Sequence, residues 1–588
     1  MTGNLLGCIS NCRLLVSPPT GAGKFKWLSK SLFIRQISKV LIILFLIGQA
    51  SGTAYSQSKI IPSKLQRPKL VVGIVVDQMR WDYLYRYYDR YGQDGFKRLL
   101  SEGFSCENTL INYLPSATAV GHSTIFTGSV PSIHGIAGNE WIDQLTGRKW
   151  YCTEDTIEQT VGSTSKAGKM SPRNLLVSTI TDELRLATNF QSQVVGVSLK
   201  DRAAILPAGH TATAAFWMND ATGRFITSTY YMKQLPAWVN QFNDKDPGKE
   251  LLKNGWNTLY PINTYTQSTA DNAEWEGSLG GKPTPVFPYD IANRYQKKPG
   301  IIRQTPFGNT LTLNFAEAAV NGYQLGQKNT TDFLTINCAS TDYVGHLFGP
   351  NSIEEEDVFL RLDKDLATFF HFLDQKIGKG NYLLFLTADH GGAHSLGFMR
   401  EHKIPGELWE TEQMVTQLND LLNKKFGVAD LTLSNITAVD YQVNFDMKKV
   451  NDNHLDIEAI KKVSVDFLQK QDGVMYAVDV AHIGETPVPQ RIKEMIINGY
   501  NNKRSGAIQI ITEPGWLPPY SKKGTTHGTW NPYDTHIPLI FMGWKIKSGY
   551  SNRTIHMTDI APTIAALLHI QMPSGCIGTP IQEITKSK

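Results

Sequence analysis

The sequence predicts an α/β protein, a three-layer sandwich around a mostly parallel central sheet, with aromatic and polar insertions forming a cap over the strand ends. Three observations carry this reading. Strand-like apolar runs alternate with helical ones along the chain, the signature of parallel crossover units. The runs are nearly continuous in Val, Ile and Leu rather than alternating in polarity, as expected of strands buried on both faces. Asp or Lys stands at or just past the end of several runs, the edge where open α/β sheets gather functional groups.

The elements follow in order. Residues 69–76 form the first expected strand, ending on Asp77, and a helical stretch at 96–102 is stopped by Gly103. Further strands are expected at 193–199, 333–338, 382–387 and 537–542, with a long amphipathic helix from about Ser352 to Ile377 and a closing helix at 558–568. Two regions break the rhythm. Residues 205–300 carry aromatic clusters such as Phe216-Trp217 and Tyr230-Tyr231, and residues 400–530 mix helices, polar loops and a Pro-rich passage. Both read as insertions between core units.

At 588 residues, 41% hydrophobic and 19% charged, the chain is an ordinary globular protein with room for a large domain and substantial insertions. Its formal charge of +5 is misleading. Residues 1–56 hold Arg13, Lys24, Lys26, Lys30, Arg35 and Lys39 and no acid, and without them 52 basic residues face 53 acidic ones. Nothing basic remains to argue for a nucleic-acid or anionic-membrane partner. That leader reads as an export signal: Lys39 precedes the apolar run 40–47, and Ala54-Tyr-Ser56 offers a small-residue cleavage site before Gln57. The run is too short to span a bilayer, so the expected product is a periplasmic or secreted protein comprising residues 57–588. Pro18 to Lys24 imitates a phosphate-binding loop, but Pro18 replaces the first Gly and Phe25 the hydroxyl residue. Cys106, Cys152, Cys338 and Cys576 lie outside the leader, too scattered for a zinc knuckle, and their pairing stays open.

The chemistry-bearing residues sit at the ends of the strand runs. Thr118 opens the stretch Pro115-Ser-Ala-Thr-Ala-Val-Gly-His122, and downstream come Asp342-x-x-x-His346, Asp389-His390 and Gly524-Thr-Thr-His527-Gly. With Asp77 they supply three carboxylates, three imidazoles and a hydroxyl, donors suited to two divalent cations with a nucleophile between them. One Asp at a strand end is more often a turn or cap residue; the whole set is not explained that way. The adjacent Asp389-His390 pair demands a kinked chain, which Gly391-Gly392 supplies, and His527 occupies a polar loop unsuited to a core histidine. His122, His134, His210, His394 and His536 lie near the motifs as supporting donors. Lys200-Asp-Arg202 would be an exposed charged loop in isolation; its place after the 193–199 strand argues for a functional role.

Together these motifs resemble the alkaline phosphatase superfamily, specifically its phosphate-irrepressible branch with a Thr nucleophile. Thr118-Ala-Val-Gly-His122 matches the nucleophile motif, Asn139 in Gly138-Asn-Glu-Trp141 the downstream Asn, and Lys200-Asp-Arg202 the Lys-x-Arg pair. The resemblance runs from about Leu70 to Thr563. It implies two zinc ions per chain, one on Asp342, His346 and His527, the other on Asp77, Asp389, His390 and the Thr118 oxygen. It implies hydrolysis of phosphate monoesters through a phosphothreonine, with Asn139, Lys200 and Arg202 holding the non-bridging oxygens and the insertions capping the active site. Two rivals remain: a nucleotide phosphodiesterase or pyrophosphatase of the same superfamily, and a zinc-stabilised surface binding protein without catalysis. The formylglycine precursor that sulfatase relatives need is missing, because Thr118-Ala-Val-Gly provides neither the Cys or Ser nor its context.

Overall fold

The computed structural model describes residues 65–433 and 440–586; the leader 1–56 with its export features lies outside them. The main sheet has 11 strands. Those that position the site are β1 (Leu70–Val76), β2 (Phe104–Leu110), β3 (Val194–Ser198), β4 (Ala214–Met218), β5 (Phe225–Ser228), β6 (Asp332–Cys338), β7 (Tyr382–Thr387), β8 (Leu539–Gly543) and β9 (Gly549–His556). Across the sheet they run β2-β8-β7-β1-β6-β3-β4-β5, with His536–Ile537 and β9 both on β2 and Thr160–Val161 beyond β5.

The central five strands, β7-β1-β6-β3-β4, are all parallel. β1 is the axis: Val72 faces Leu384 of β7 on one side and Leu334 of β6 on the other. Every residue of β1, β6 and β7 is buried, so both faces of the sheet are covered, which is why these strands lack polar alternation. The covering helices include α1 (Thr118–Thr127), α2 (Asp201–Ala208), α3 (Ala292–Lys297), α4 (Phe307–Tyr323), α5 (Ser340–Phe348), α6 (Ile353–Leu373) and α7 (Ile560–Leu568). α1 packs on α2 and α7, whereas α4 packs on β6 and α6. Ser352 caps α6 by accepting from the Glu355 amide, and the helix ends at Leu373, a final π turn taking Asp374–Gly378.

Two expectations change. The run 537–542 does form a strand, β8, but it lies antiparallel to β7 and β2 rather than closing a parallel unit. Pro538, which has no amide hydrogen to give a ladder, separates it from His536–Ile537. The segment 205–300 also stays with the sheet longer than its composition suggests. Residues up to Ala208 complete α2, and β4 and β5 are strands of the main sheet in which Phe216 and Trp217 are buried core residues.

Residues 400–530 build a separate four-stranded sheet around Gln442–Phe445, Val474–Asp479 and Ile508–Thr512, with its own apolar core including Leu418, Leu422, Ile460 and Ile508. Its helix Gln490–Gly499 leans on the segment leading into α1. The Leu114 amide donates to Met495 O at 3.1 Å, and Asn498 Nδ2 to Asn112 O at 2.8 Å. Cys106, Cys152 and Cys338 are buried free thiols and Cys576 is a half-buried one. No helix among the described residues is long and apolar enough to cross a membrane.

Candidate active site

Because β7, β1, β6 and β3 run parallel, their C-terminal ends share one edge, and the polar residues that follow them converge there. Asp77 follows β1, Asp389 follows β7, Lys200 follows β3, and Asp342 lies in the first turn of α5 after β6. Asp77, Asp342, Asp389 and Lys200 are all buried. The Lys200 ammonium bridges two of the carboxylates, 2.9 Å from Asp77 Oδ2 and 2.6 Å from Asp342 Oδ2. Burial works against its charge, but Asp342 and Asp77 more than offset this and hold its pKa above the ordinary lysine value. Asp342, buried yet facing Lys200 and His346, is held well below the carboxylate range. Asp389 is pushed well above it by burial and by the neighbouring Asp77.

The three imidazoles are oriented alike. Nδ1 of His346, His390 and His527 lies 2.8, 2.9 and 2.7 Å from the carbonyls of Thr525, Gly391 and Ser116. A carbonyl only accepts, so each Nδ1 carries a hydrogen, and in the neutral ring Nε2 turns a lone pair towards the carboxylates. His346 Nε2 is 3.2 Å from Asp342 Oδ1, His527 Nε2 is 3.9 Å from the same oxygen, and His390 Nε2 is 3.4 Å from Asp389 Oδ2. Burial pushes the His390 pKa down to about 4, and burial with the other two imidazoles pushes His527 well below its usual value, which keeps both rings neutral near pH 7. His346 moves the other way: burial opposes its charge, but Asp342 outweighs it.

At this edge two trios close within 4.8 Å, Asp77 with Asp389 and His390, and Asp342 with His390 and His527. His390 belongs to both, and its ring stacks on His527 at 3.5 Å between centroids. His346 touches Asp342 but is not in the closed trio at that end. Asp77 Oδ1 and Asp389 Oδ2 are buried without any hydrogen-bond partner, a costly arrangement unless a cation answers them. Neutral Nε2 donors and carboxylate oxygens gathered this closely fit a divalent metal centre.

Thr118 begins α1 after an extended Ala117, and its Oγ1 lies 3.4 Å from His390 Nε2. Asn139 accepts the Ala119 amide on Oδ1 at 2.9 Å, which leaves its NH2 end as the available donor beside the nucleophile's turn. Arg202, in the first turn of α2, donates to Tyr151 Oη at 3.1 Å, and its buried Nε has no partner. Of the supporting histidines only His122 reaches the centre, with Nε2 3.7 Å from Asp389 Oδ2. His134 binds Thr124, His210 binds Asp182, His394 meets Arg80 and Asn351, and His536 stacks on Trp81.

Two local readings are corrected. The polar loop does bury its histidine: His527 is buried, and its loop is tied down by Thr525 N to His346 O at 3.1 Å and Gly524 N to Trp275 O at 2.7 Å. Gly391 is not needed for unusual dihedrals either, having no positive φ; a Cβ there would lie 2.1 Å from the Tyr533 carbonyl oxygen. It is a close-approach glycine.

Comparison with known proteins agrees with this geometry. The family described as Type I phosphodiesterase / nucleotide pyrophosphatase matches residues 71–536. Alkaline phosphatase PafA of Elizabethkingia meningoseptica is 59% identical over 88% of this chain and 94% of its own. The crystal structure of a wild-type PafA superposes with a TM-score of 0.87 at 58% identity, covering 89% of this chain and 100% of that one. Alkaline phosphatase PhoV of Synechococcus elongatus is 54% identical over 90% of this chain and 95% of its own. A protein of Myroides odoratus named calcium-transporting ATPase is also 54% identical, over 90% of this chain and 97% of its own. The chain belongs to the Type I phosphodiesterase / nucleotide pyrophosphatase family of the alkaline phosphatase superfamily, in the phosphate-irrepressible alkaline phosphatase branch.

In this family member one residue of the centre carries no sequence signal. Gln78 takes a left-handed backbone, φ 61°, unusual for a residue with a long side chain. That conformation lets one residue clamp two strand ends: its amide donates to Asp389 Oδ1 at 3.1 Å and its side-chain Nε2 to Asp342 Oδ1 at 2.8 Å. Asn337 plays a smaller part, donating to Asp77 Oδ2 at 3.1 Å from the end of β6. Gln78→Ala removes a buried hydrogen bond to a carboxylate. It is expected to lower unfolding stability by about 1–3 kcal/mol, read by urea denaturation of chelator-treated protein. An unchanged midpoint would show that the clamp holds nothing in place.

Proposed function

We propose that this chain is a zinc-dependent phosphate monoester hydrolase that forms a phosphothreonine at Thr118 and releases inorganic phosphate. The single observation that carries the monoester reading is the cation pair at the start of α2. The helix that Lys200 and Arg202 begin packs on α1, which bears Thr118, and the buried Arg202 Nε has no protein acceptor. Names of close relatives, both called alkaline phosphatase, support it.

The residues that would hold two zinc ions are Asp77, Asp389, His390 and Thr118 Oγ1 for one, and Asp342, His346 and His527 for the other. The trio that includes His390 brings that imidazole close to both. Zinc bound there would supply Lewis acidity, favouring an ionised hydroxyl and offsetting charge on a leaving oxygen. The chain's own groups do the rest. Thr118 Oγ1 attacks phosphorus in line, the bond from phosphorus to the ester oxygen breaks, and the alcohol departs. Thr118 is buried at the head of α1. The NH2 group of Asn139 and the Arg202 guanidinium bind the non-bridging oxygens, Tyr151 and Asp201 fixing the guanidinium in place. Lys200 adds a buried positive charge between the metal-binding carboxylates and the phosphoryl group. Water then cleaves the phosphothreonine and restores the hydroxyl.

A monoester presents more charge off the reaction axis than a diester, whose extra substituent would meet these fixed cations as an alkyl group. The leader supports export of the mature chain. N-terminal sequencing of the exported product is expected to begin at Gln57; an intact leader on the active protein would reject that.

Thr118→Ala is expected to abolish the phosphoprotein that rapid acid quench traps in the parent, while Thr118→Ser retains it. A phosphate trapped on any other residue would sink the assignment. For specificity, turnover of an aryl phosphate and the matching aryl diester should be compared with and without a chelator. Loss of Lys200 and Arg202 together is expected to cut the monoester rate by on the order of 10²-fold per contact, with far less effect on the diester. Equal losses would mean that the pair only holds the loop. A parent that prefers the diester would establish the phosphodiesterase alternative, and one that turns over neither would leave a binding protein.

A further inference from the structure

Tyr343 follows Asp342 on α5 and stands between two groups of cations. On the side of the active site, Lys200 Nζ lies 5.0 Å from its ring centroid. The Arg303 guanidinium, which lines a cavity with Tyr343, lies 5.5 Å from the same centroid and donates to the tyrosine hydroxyl at 2.6 Å. Arg303 is held in turn by Leu199 O at 2.7 Å, next to Lys200 in sequence. Beyond Tyr343 opens a cavity of about 920 Å³, lined by Asp220, Gly280, Arg294, Lys297, Lys298 and Arg303, among others.

The charges of this cavity are unbalanced. Its one lining acid, Asp220, is already paired with Arg303 at 2.6 Å. Arg294, Lys297 and Lys298, clustered at α3, form no ion pair among the described residues and are exposed to the cavity's solvent. Two glycines lie directly against Arg294. Gly280 and Gly281 have φ of 65° and 68°, and a Cβ on Gly281 would sit 2.4 Å from the Arg294 guanidinium. Their lack of side chains leaves space for the guanidinium of Arg294, which lines the cavity.

We propose that this cavity is an anion subsite for the leaving group, so that the preferred substrates are phosphate esters whose alcohol carries a second phosphate or carboxylate. The inference rests on the monoesterase reading above. The reacting phosphate would sit by Thr118, Lys200 and Arg202, and the second anion would meet Arg294, Lys297 and Lys298 past the Tyr343 ring. A dianion answered by several unpaired cations gains charge-assisted hydrogen bonds that a neutral alkyl group cannot make.

The test compares butanediol bisphosphate, and longer diol bisphosphates to allow for reach, with butyl phosphate. The enzymes are the zinc-loaded parent and an Arg294→Ala/Lys297→Ala/Lys298→Ala variant. The triple change is expected to lower kcat/KM for a bisphosphate by on the order of 10-fold, through KM, and to leave butyl phosphate within about twofold. Equal loss on both substrates would make the patch a general attractor of anions and overturn the subsite, as would no loss on either. Calorimetric binding of the same two ligands to Thr118→Ala, with and without the triple change, reads the subsite without turnover. If the parent hydrolyses neither ester but the triple change still weakens bisphosphate binding alone, the monoesterase reading fails and the subsite stands. If the triple change leaves binding of both ligands unaltered, the subsite fails whatever the activity. Since all three side chains are exposed, the variant is expected to keep the parent's unfolding midpoint.

Discussion

Three carboxylates brought to one edge of a parallel sheet, and buried there, set the terms for everything around them. Two like charges about 4 Å apart repel by roughly 4 kcal/mol at an effective dielectric near 20, so Asp77, Asp342 and Asp389 cannot lie together uncompensated. The surrounding structure reads as a set of answers to that repulsion. Lys200 spans two of the acids, Gln78 ties the third to Asp342, and Asn337 supports Asp77. Burial and Asp77 keep Asp389 well above the usual carboxylate range, so the acids do not share the charge equally. The two buried oxygens left without a partner, on Asp77 and Asp389, mark where further positive charge belongs.

The imidazoles obey the same logic from the other direction. Each could have presented either nitrogen, and a backbone carbonyl removes the choice in every case. Those carbonyls come from distant parts of the chain: the turn before α1, the loop after β7 and the loop at Thr525. Fixing the tautomers therefore depends on the loops being pinned, and the pinning explains why His527 is buried although its neighbours are polar.

Much of this was legible because a parallel sheet turns a one-dimensional fact into a three-dimensional one. An apolar run without polar alternation must be buried on both faces, and parallel neighbours put all their C-terminal ends together. Asp77, Lys200 and Asp389 could thus be placed at one edge from their positions after such runs, and Asp342 by its place just downstream of another. Strand direction was not legible: the 537–542 run has the composition of a core strand, and nothing in an apolar stretch states that β8 runs antiparallel. Phe216 and Trp217 misled because aromatic residues suit both an exposed binding insertion and a buried strand. Gln78 was invisible for a different reason. Its contribution comes from a left-handed backbone that sequence assigns to Gly or Asn, and the bonds that hold it there exist only once three strand ends have met.

The family is described by phosphodiesterase and pyrophosphatase activities, whereas two relatives are named alkaline phosphatases, so the metal-binding edge alone does not decide the substrate. In the monoesterase reading proposed above, the decision falls to Lys200 and Arg202 at the start of α2. Lys200 also serves the carboxylates: its ammonium compensates Asp77 and Asp342 while lying over the ring of Tyr343. A change that draws Lys200 towards a bound phosphate must loosen its hold on the carboxylates, which then need their charge met by metal. If Lys200 binds phosphate as proposed, substrate binding and metal binding are linked through that one side chain, and such a linkage is reciprocal. Tyr343 extends the chain of contacts outward to Arg303 and the basic cavity.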